Sequence, residues 1–220
     1  IPVFGTAAHS WVLAFPEEET AYRRLQELLG EATTYIVDTY DTLEGVRRAA
    51  ALGGPLWGIR LDSGDLADLA RKSRAILDAA GLRDARIMAT GDLNEYRVRD
   101  LVEAGAPIDA FGVGTELATS ADAPTLGAIY KMVEMESGGR TRYTAKLSED
   151  KVTYPGAKQI YRFPDHDVIA CVREPHPAGG GRALIRPVIA AGEIIDPLPA
   201  LAESRAYAHK ALADLPSACR

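Results

Sequence analysis

Five short polar motifs punctuate the first half of the chain, and each follows an apolar run with the composition of a β-strand. Amphipathic segments separate these runs, so strand, polar turn and helix alternate up to about residue 117. This alternation predicts βαβ crossovers and a parallel sheet, whose strands all end on one face where ligands bind. The motifs occupy residues 5–10, 38–41, 60–65, 90–94 and 112–116.

The clearest unit predicts a strand over residues 56–61 and a helix from Leu66 to Ala80. Asp65 is expected to cap the amino end of that helix, and Gly81 to follow its carboxyl end. The same pattern predicts strands over 34–37, 85–89 and 108–111, with helices over 43–52 and 95–104.

The pattern changes after Thr125, where glycine-containing turns connect apolar and polar strand-like runs. Two hairpins are predicted, one from 126–136 with 141–147 and one from 159–163 with 167–172. We therefore predict two regions: a partial α/β barrel over 1–125, and the end of the barrel with a β-rich carboxyl-terminal region over 126–220.

The composition is that of a globular protein: 47% of the 220 residues are hydrophobic and 25% are charged. A net charge of −6 argues against a general affinity for nucleic acid or acidic lipid, so an anionic ligand needs a local site. The sequence has neither an apolar stretch long enough to span a membrane nor a signal peptide, which predicts a cytoplasmic protein. The spacing of Cys171 and Cys219 matches no metal or redox motif.

Three carboxylates, Asp38, Asp62 and Asp92, follow successive strands. Any one of them alone could be a helix cap, but three at one face would repel each other unless a cation or sugar hydroxyls lay between them. Arg60 lies between apolar neighbours in a strand, so its charge needs a partner. That partner is either a carboxylate, Asp62 or Asp38, or an anionic ligand at the strand ends.

Gly112 and Gly114, followed by Thr115, permit a backbone turn that exposes N–H groups to a phosphate. The same turn is also consistent with tight packing between strand and helix. His9 lies in another strand-to-helix turn, and its imidazole is either a nucleophile or an ordinary loop side chain.

Taken in order, the motifs resemble the nicotinate phosphoribosyltransferases, a family of type II phosphoribosyltransferases. The resemblance rests on Gly5-Thr-Ala-Ala-His-Ser, Val37-Asp-Thr-Tyr-Asp-Thr, Gly58-Ile-Arg-Leu-Asp-Ser-Gly-Asp-Leu and Phe111-Gly-Val-Gly-Thr-Glu-Leu. It continues through Lys146-Leu-Ser-Glu-Asp, Pro155-Gly-Ala-Lys-Gln and Leu201-Ala-Glu-Ser-Arg.

The resemblance implies an irregular (β/α) barrel, present here in part, with part of an accompanying β-rich domain. It implies transfer of the phosphoribosyl group from phosphoribosyl diphosphate to nicotinate, coupled to ATP, with Mg²⁺ as cofactor and a homodimer in the full-length enzyme. The roles it implies are phosphorylation for His9, nicotinate binding for Arg60, ribose binding for Asp62 and Asp92, and phosphate binding for Gly112, Gly114 and Thr115. Substrate binding is also predicted for Gly5, and the convergence of the carboxylates predicts metal binding for Asp38.

Since the chain starts at Ile1 within an apolar run, we interpret it as an internal fragment that is inactive by itself. Two alternatives stay open: a nicotinamide-using relative, and a nucleotide-binding fragment without catalysis. Surface positions are expected for Tyr22, Arg23 and Arg24 on the first helix. Surface charge is also the usual explanation for Lys146, Lys158 and Arg162, although the resemblance allows a loop over the phosphates there. No function is assigned to His166, His176 and His209.

Overall fold

The computed structural model describes residues 6–120, 122, 129–147 and 152–215. Gly5 and Cys219 lie outside the described residues. The chain divides into two compact units, Ile1–Pro155 and Gly156–Arg220. The regional boundary proposed near residue 125 marks a change of sequence pattern within the first unit, and it stays a prediction.

Two helices, α1 (His9–Ala14) and α2 (Glu18–Leu29), precede the sheet of the first unit. The sheet has four parallel strands, arranged in the order in which they occur along the chain. The strands and their connecting helices are β1 (Thr34–Ile36), α3 (Thr42–Leu52), β2 (Gly58–Leu61), α4 (Leu66–Ala79), β3 (Arg86–Ala89), α5 (Glu95–Glu103) and β4 (Ala110–Phe111), followed by the short helix α6 (Thr115–Ala118).

The predicted α/β fold with a parallel sheet is thus confirmed. The described strands form an open sheet, with β1 and β4 at its edges. Closure into a barrel therefore stays a prediction.

Alternation along the strands separates two faces of this sheet. Tyr35, Ile59 and Ile87 are register partners in neighbouring strands, and all three are fully buried. They form one core with apolar side chains of α2, α3 and α4. The neighbouring row pairs Arg60 with Met88, and both side chains line a cavity on the other face.

The helix ends explain why the connections lie where the sequence predicts them. Asp65 Oδ1 accepts hydrogen bonds from the N–H groups of Ala67 and Asp68, and Gly81 follows α4 with a φ of +80°. Both features confirm the predicted caps. Asp41 and Asn94 cap α3 and α5 in the same way.

The surface position expected for Tyr22 is wrong, because this side chain is fully buried. Its hydroxyl lies 2.9 Å from Glu18 Oε1 and 3.1 Å from the carbonyl oxygen of Ile36. Glu18 is also buried, and burial raises the pKa of its carboxyl group. This side of α2 therefore rests on β1 through polar as well as apolar contacts.

Glycine permits α3 to pack directly on the end of β1. A Cβ atom at Gly45 would lie 2.3 Å from the carbonyl oxygen of Val37 and 3.2 Å from the Tyr22 hydroxyl. No side chain fits that gap, so the path of the chain after β1 depends on this glycine.

Beyond the sheet, the first unit contains an antiparallel hairpin of β5 (Glu134–Ser137) and β6 (Arg140–Tyr143). The second unit contains β7 (Lys158–Arg162) paired with β8 (Asp167–Cys171) and β9 (Arg182–Ala183). Both predicted hairpins are therefore present. The strands of the first are shorter than predicted, with residues 126–128 outside the described part of the chain, and those of the second differ from the prediction by one residue. The second unit also contains β10 (Ile189–Ala190), β11 (Glu193–Ile194) and α7 (Leu201–Ala213).

The longest helix in the described part of the chain is α4, with 14 residues. No described helix has the length and apolar character needed to cross a bilayer.

Candidate active site

A cavity of about 720 Å³ lies along the open face of the sheet and at the carboxyl ends of its strands. Its size is in the range of small-molecule sites. Ligands of open α/β sheets bind at this end of the strands. The lining includes six predicted site residues, namely Arg60, Asp62, Asp92, Gly112, Gly114 and Thr115.

Arg60 and Asp62 form the polar centre of this cavity. Arg60 Nη2 donates to Asp62 Oδ1 at 2.8 Å, and Arg60 Nε donates to Thr90 Oγ1 at 2.8 Å. Thr90 Oγ1 in turn donates to Asp62 Oδ1 at 2.6 Å. Burial alone would raise the pKa of Asp62, but the hydrogen bonds from Thr90 and Arg60 outweigh it and lower that pKa. Asp62 is therefore a fixed carboxylate at neutral pH.

Both sequence-based explanations of Arg60 thus describe part of its environment. Its guanidinium pairs with Asp62, and it also lines the cavity. The contacts to Thr90 and Asp62 use Nε and Nη2. The guanidinium borders the cavity, and an arginine can pair along more than one edge, including the outer edge formed by Nη1 and Nη2.

His9 is paired with Asp38 beneath the strand ends. His9 Nε2 lies 3.1 Å from Asp38 Oδ1, and the Asp38 side chain is fully buried. The Ser63 hydroxyl donates to the other carboxylate oxygen of Asp38. Burial opposes ionisation of Asp38, yet the hydrogen bonds from His9 and Ser63 lower its pKa below the usual value.

Because Asp38 is ionised, its carboxylate can only accept a hydrogen bond, so Nε2 of His9 must carry the hydrogen. In a neutral imidazole the other nitrogen, Nδ1, then holds a lone pair. The ring therefore has a defined tautomer with a potential nucleophile.

Lys146 joins these two pairs, contrary to the surface position expected for it. Its side chain is fully buried, and Nζ lies 4.0 Å from Asp62 Oδ2. Its charge also lowers the pKa of Asp38. The other two cations of that expectation belong to the second unit, where Lys158 donates to the Gly156 carbonyl and Arg162 pairs with Asp167.

His9, Asp38 and Asp62 are close enough to resemble a metal centre, with one ligand atom of each lying within 4.8 Å of the others. The surroundings do not fit a resident Mg²⁺. The positive charges of Arg60 and Lys146 already compensate the negative charges of the two carboxylates. Both oxygens of Asp38 also accept hydrogen bonds. Mg²⁺ prefers six oxygen ligands and retains several waters. Metal binding by Asp38 stays a prediction, and this arrangement does not favour it.

The turn after β4 has the backbone that a phosphate site needs. Gly114 lies at the amino end of α6, where the first N–H groups of a helix have no partner within it. A Cβ atom at Gly114 would meet no atom within 4 Å, whereas one at Gly112 would lie 2.6 Å from Thr90 Cγ2. Packing therefore explains Gly112, whereas Gly114 has no such packed neighbour and lines the adjacent cavity.

Asp92 lies at the exposed rim of the same cavity, away from the buried cluster around Asp62. Its φ of +50° is a left-handed conformation that aspartate tolerates better than most residues. The preceding Gly91 is equally constrained, since a Cβ there would lie 2.1 Å from the Asp62 carbonyl oxygen.

A second cavity, of about 660 Å³, opens at His9. Its walls come from the first turn of α1 and from the chain entering β5, and they include Ser10, Leu13, Met132 and Glu134. His9 lines this cavity and is absent from the lining of the first one. The two cavities therefore reach the His9, Asp38 and Asp62 cluster from different sides.

Sequence reasoning missed three members of the site: Ser63, Thr90 and Lys146. Ser63 and Thr90 occur inside recognised motifs, and their position beside Asp62 and Gly91 was the available signal. Lys146 begins one of the motifs of the resemblance, but nothing local indicated its partner, because it reaches Asp62 from a segment 84 positions later in the chain.

No protein-family model matches the chain. Curated proteins do match it. Over 174 residues it is 46% identical to nicotinate phosphoribosyltransferase pncB2 of Mycobacterium tuberculosis, a match to 76% of this chain and 36% of that protein. The nicotinate phosphoribosyltransferase of Bacillus subtilis is 46% identical over 172 residues, which are 74% of this chain and 35% of that protein.

The human nicotinate phosphoribosyltransferase is 30% identical over an alignment that covers 94% of this chain and 43% of that protein. Among solved structures, nicotinate phosphoribosyltransferase from Porphyromonas gingivalis matches with a TM-score of 0.58 and 24% identity. This match covers 69% of the chain and 44% of that structure, and it supports the fold alone. The chain spans just over a third of the length of the bacterial relatives.

Proposed function

We propose that this chain takes part in the synthesis of nicotinate mononucleotide, because over its matched residues it belongs to the nicotinate phosphoribosyltransferase family. In this reaction nicotinate replaces the diphosphate of phosphoribosyl diphosphate, and ATP hydrolysis is coupled to the exchange. The product enters NAD biosynthesis and salvage. The observation that carries the proposal is the cavity that unites Arg60 and Asp62 with the turn after β4 at the strand ends.

Each wall of that cavity suits one part of the substrates. The N–H groups around Gly114 and Thr115 would bind the 5′-phosphate, as helix amino ends and glycine turns do. Asp62, with Asp92 at the rim, would accept hydrogen bonds from the ribose hydroxyls. The outer edge of the Arg60 guanidinium would pair with the carboxylate of nicotinate.

The transfer separates charge, and the site is arranged to stabilise that charge. When the bond between C1 and the diphosphate breaks, positive charge develops on the ribose ring. A fixed carboxylate such as Asp62 stabilises it without having to reorganise. Holding the phosphate and the nicotinate at opposite ends aims the pyridine nitrogen at C1.

His9 would carry the coupling to ATP. The lone pair of Nδ1 attacks the γ-phosphorus, the bond to the bridging oxygen breaks, and ADP leaves with that electron pair. Asp38 holds Nε2–H throughout and stabilises the positive charge that the ring acquires. The second cavity gives the phosphoryl donor a path to His9 separate from that of the sugar.

We extend the proposal to the remaining family properties. The parallel sheet would be part of an irregular barrel, the functional unit would be a homodimer, and the reaction would be cytoplasmic and of the ATP-dependent ligase type. Magnesium would enter with the phosphate oxygens of the substrates, since the protein groups at the cluster do not fit a resident ion.

Labelling with γ-labelled ATP tests the proposal in the protein that contains this sequence. We expect acid-labile, base-stable label on the unsubstituted protein and on the control His209→Asn, whose histidine is exposed on α7. His9→Asn should take no label and should lose ATP stimulation of nicotinate mononucleotide formation, while it can retain slow ATP-independent synthesis. Label on His9→Asn equal to that of the control would disprove the role of His9.

A further inference from the structure

Helix α1, which carries His9, is held at its carboxyl end by a residue from a distant hairpin. Arg142 of β6 donates from Nη1 to the carbonyl oxygen of Phe15 at 2.8 Å, and from Nη2 to that of Leu13 at 2.7 Å. One guanidinium thus binds two carbonyl groups at the end of a single helix. The partners are 127 and 129 positions apart in the sequence.

Helix α1 needs such support. It has only six residues, and Ala8 at its N-cap position offers no side-chain acceptor. Helices of this length are unstable by themselves, because nucleation costs more than a few hydrogen bonds return. The last carbonyl groups of a helix lack partners within it, and a cation there also interacts favourably with the helix dipole.

The orientation of α1 determines the geometry of His9. Leu13 lies one helical turn after His9, so fixing its carbonyl group fixes the turn from which the imidazole projects. Asp38, the partner of Nε2, follows β1 and therefore belongs to a different element from α1. A small tilt of α1 would therefore lengthen the 3.1 Å contact and release the ring from one tautomer.

The hairpin also forms part of the second cavity. Glu134 lines that cavity, and its neighbour Met135 is the register partner of Arg142. The charge of Arg142 further acts on Tyr40, in the motif that contains Asp38. The same hairpin thus contacts the helix of His9, acts electrostatically on the motif of Asp38, and lines the cavity that opens at His9.

We infer that Arg142 is a positioning residue for the phosphoryl acceptor: it holds α1 so that Asp38 binds Nε2 of His9 and Nδ1 faces the phosphoryl donor. This inference rests on the proposed function for its kinetic consequence and on the contacts above for its geometry. Arg142 itself needs no contact with either substrate.

The test compares Arg142→Ala and Arg142→Lys with Arg140→Ala in the protein that contains this sequence. Arg140 is exposed at the turn of the same hairpin, so its replacement removes the same charge without affecting α1. Three quantities are measured: the rate of phosphohistidine formation, the dissociation constant of phosphoribosyl diphosphate, and the tautomer of His9 by ¹⁵N NMR of the ring.

We expect Arg142→Ala to slow phosphorylation by at least about tenfold. A tenfold change corresponds to about 1.4 kcal/mol, which is less than the contribution of one charged hydrogen bond. The dissociation constant should change less than about twofold, because the sugar cavity has no contact with Arg142. The rate of phosphorylation in Arg142→Lys should lie between those of Arg142→Ala and the unsubstituted protein, since lysine retains the charge but lacks the planar guanidinium with its two donors. His9 should lose its fixed Nε2–H tautomer in the alanine variant and retain it in Arg140→Ala.

The inference is overturned if phosphorylation and phosphoribosyl diphosphate binding decline in parallel in both Arg142 variants, which is the behaviour of a purely structural residue. It is also overturned if the His9 tautomer is the same in Arg142→Ala as in Arg140→Ala. If no variant takes label from ATP, the proposed function fails, and the NMR measurement still decides whether Arg142 positions His9.

Discussion

Replacing Lys146 with methionine tests the charge cluster on which the site depends. Methionine keeps most of the length and apolar volume of lysine but removes the ammonium group. In the structure this group is fully buried, 4.0 Å from Asp62 Oδ2, and it also acts on Asp38. The variant would leave the Asp62 carboxylate with Arg60 as its compensating cation and leave Asp38 with its hydrogen bonds alone.

The structure sets the expected magnitude. Two unit charges 4.0 Å apart attract each other by about 4 kcal/mol at an effective dielectric constant of about 20. Loss of one member of a buried pair costs about 3–5 kcal/mol, much of it from the charge left behind. Because the Asp62 side chain is 15% exposed, we expect the lower end, about 3 kcal/mol in the free energy of unfolding. For a folding unit of about 150–250 residues that corresponds to about 6–12 °C in the melting temperature.

The pH dependence identifies the cause. The pKa values of Asp38 and Asp62 are lowered in the folded protein. Their ionised carboxylates therefore contribute fully to the free energy of unfolding above the pKa of the unfolded chain, near 4, and this contribution is lost as pH falls through the pKa values of the folded protein. Lys146→Met should raise both pKa values. The difference in the free energy of unfolding between the variant and the unsubstituted protein should therefore be largest at neutral pH and decrease below about pH 4.

Urea unfolding at pH 7 and thermal unfolding between pH 3 and pH 7 measure these quantities. Lys72→Met is the matched control, because Lys72 pairs with Asp68 on the surface of α4 with its side chain 55% exposed, and should cost less than about 0.5 kcal/mol. Equal losses in the two variants, or a loss for Lys146→Met that does not depend on pH, would refute the buried cluster.

Three further variants probe other parts of the molecule. Gly114→Val should raise the dissociation constant of phosphoribosyl diphosphate, and Gly112→Ala should lower the melting temperature because of the contact with Thr90. Calorimetry of both variants checks this, and unchanged affinity in Gly114→Val contradicts the phosphate site. Arg60→Lys should weaken binding of nicotinate by about 1.5–3 kcal/mol and that of nicotinamide much less, and titration with the two ligands would show a structural role instead if both losses were equal. Tyr22→Phe should destabilise the fold by about 1–3 kcal/mol, because the carbonyl oxygen of Ile36 and the carboxyl group of Glu18 lose a buried partner; a loss below about 0.5 kcal/mol would show that water or another group replaces the hydroxyl.

The features that the sequence predicted correctly depend on neighbours along the chain. Asp65 caps α4 because the N–H groups that it accepts from are two and three residues away, and Gly81 ends the same helix. The strands β1 to β4 follow from apolar runs of a few residues. The meeting of Asp62 with the turn at Gly114 follows from the rule that parallel strands end on one face.

The features that it missed depend on partners far away in the sequence. Nothing near Lys146 indicates that its side chain is buried beside Asp62. The only local signal for Tyr22 is its helical spacing from Leu25 among the charged residues of α2. In both cases a polar atom at the end of a long side chain is buried because the tertiary structure supplies its partner. The role of Arg142 was hidden for the same reason, since its partners precede it by more than 120 residues.

The link between Arg142 and α1 also orders events during synthesis of the protein. Ribosomes add about 5–20 residues per second, so Arg142 is made about 6–25 s after Phe15, which lies 127 positions before it. During that interval the nascent chain contains His9 on a segment too short to remain helical alone. A nascent chain that has not yet made β6 therefore has His9, the proposed phosphoryl acceptor, without the contacts of Arg142. If His9 has that role, newly made chains should acquire the ability to react with ATP only after the hairpin has left the ribosome.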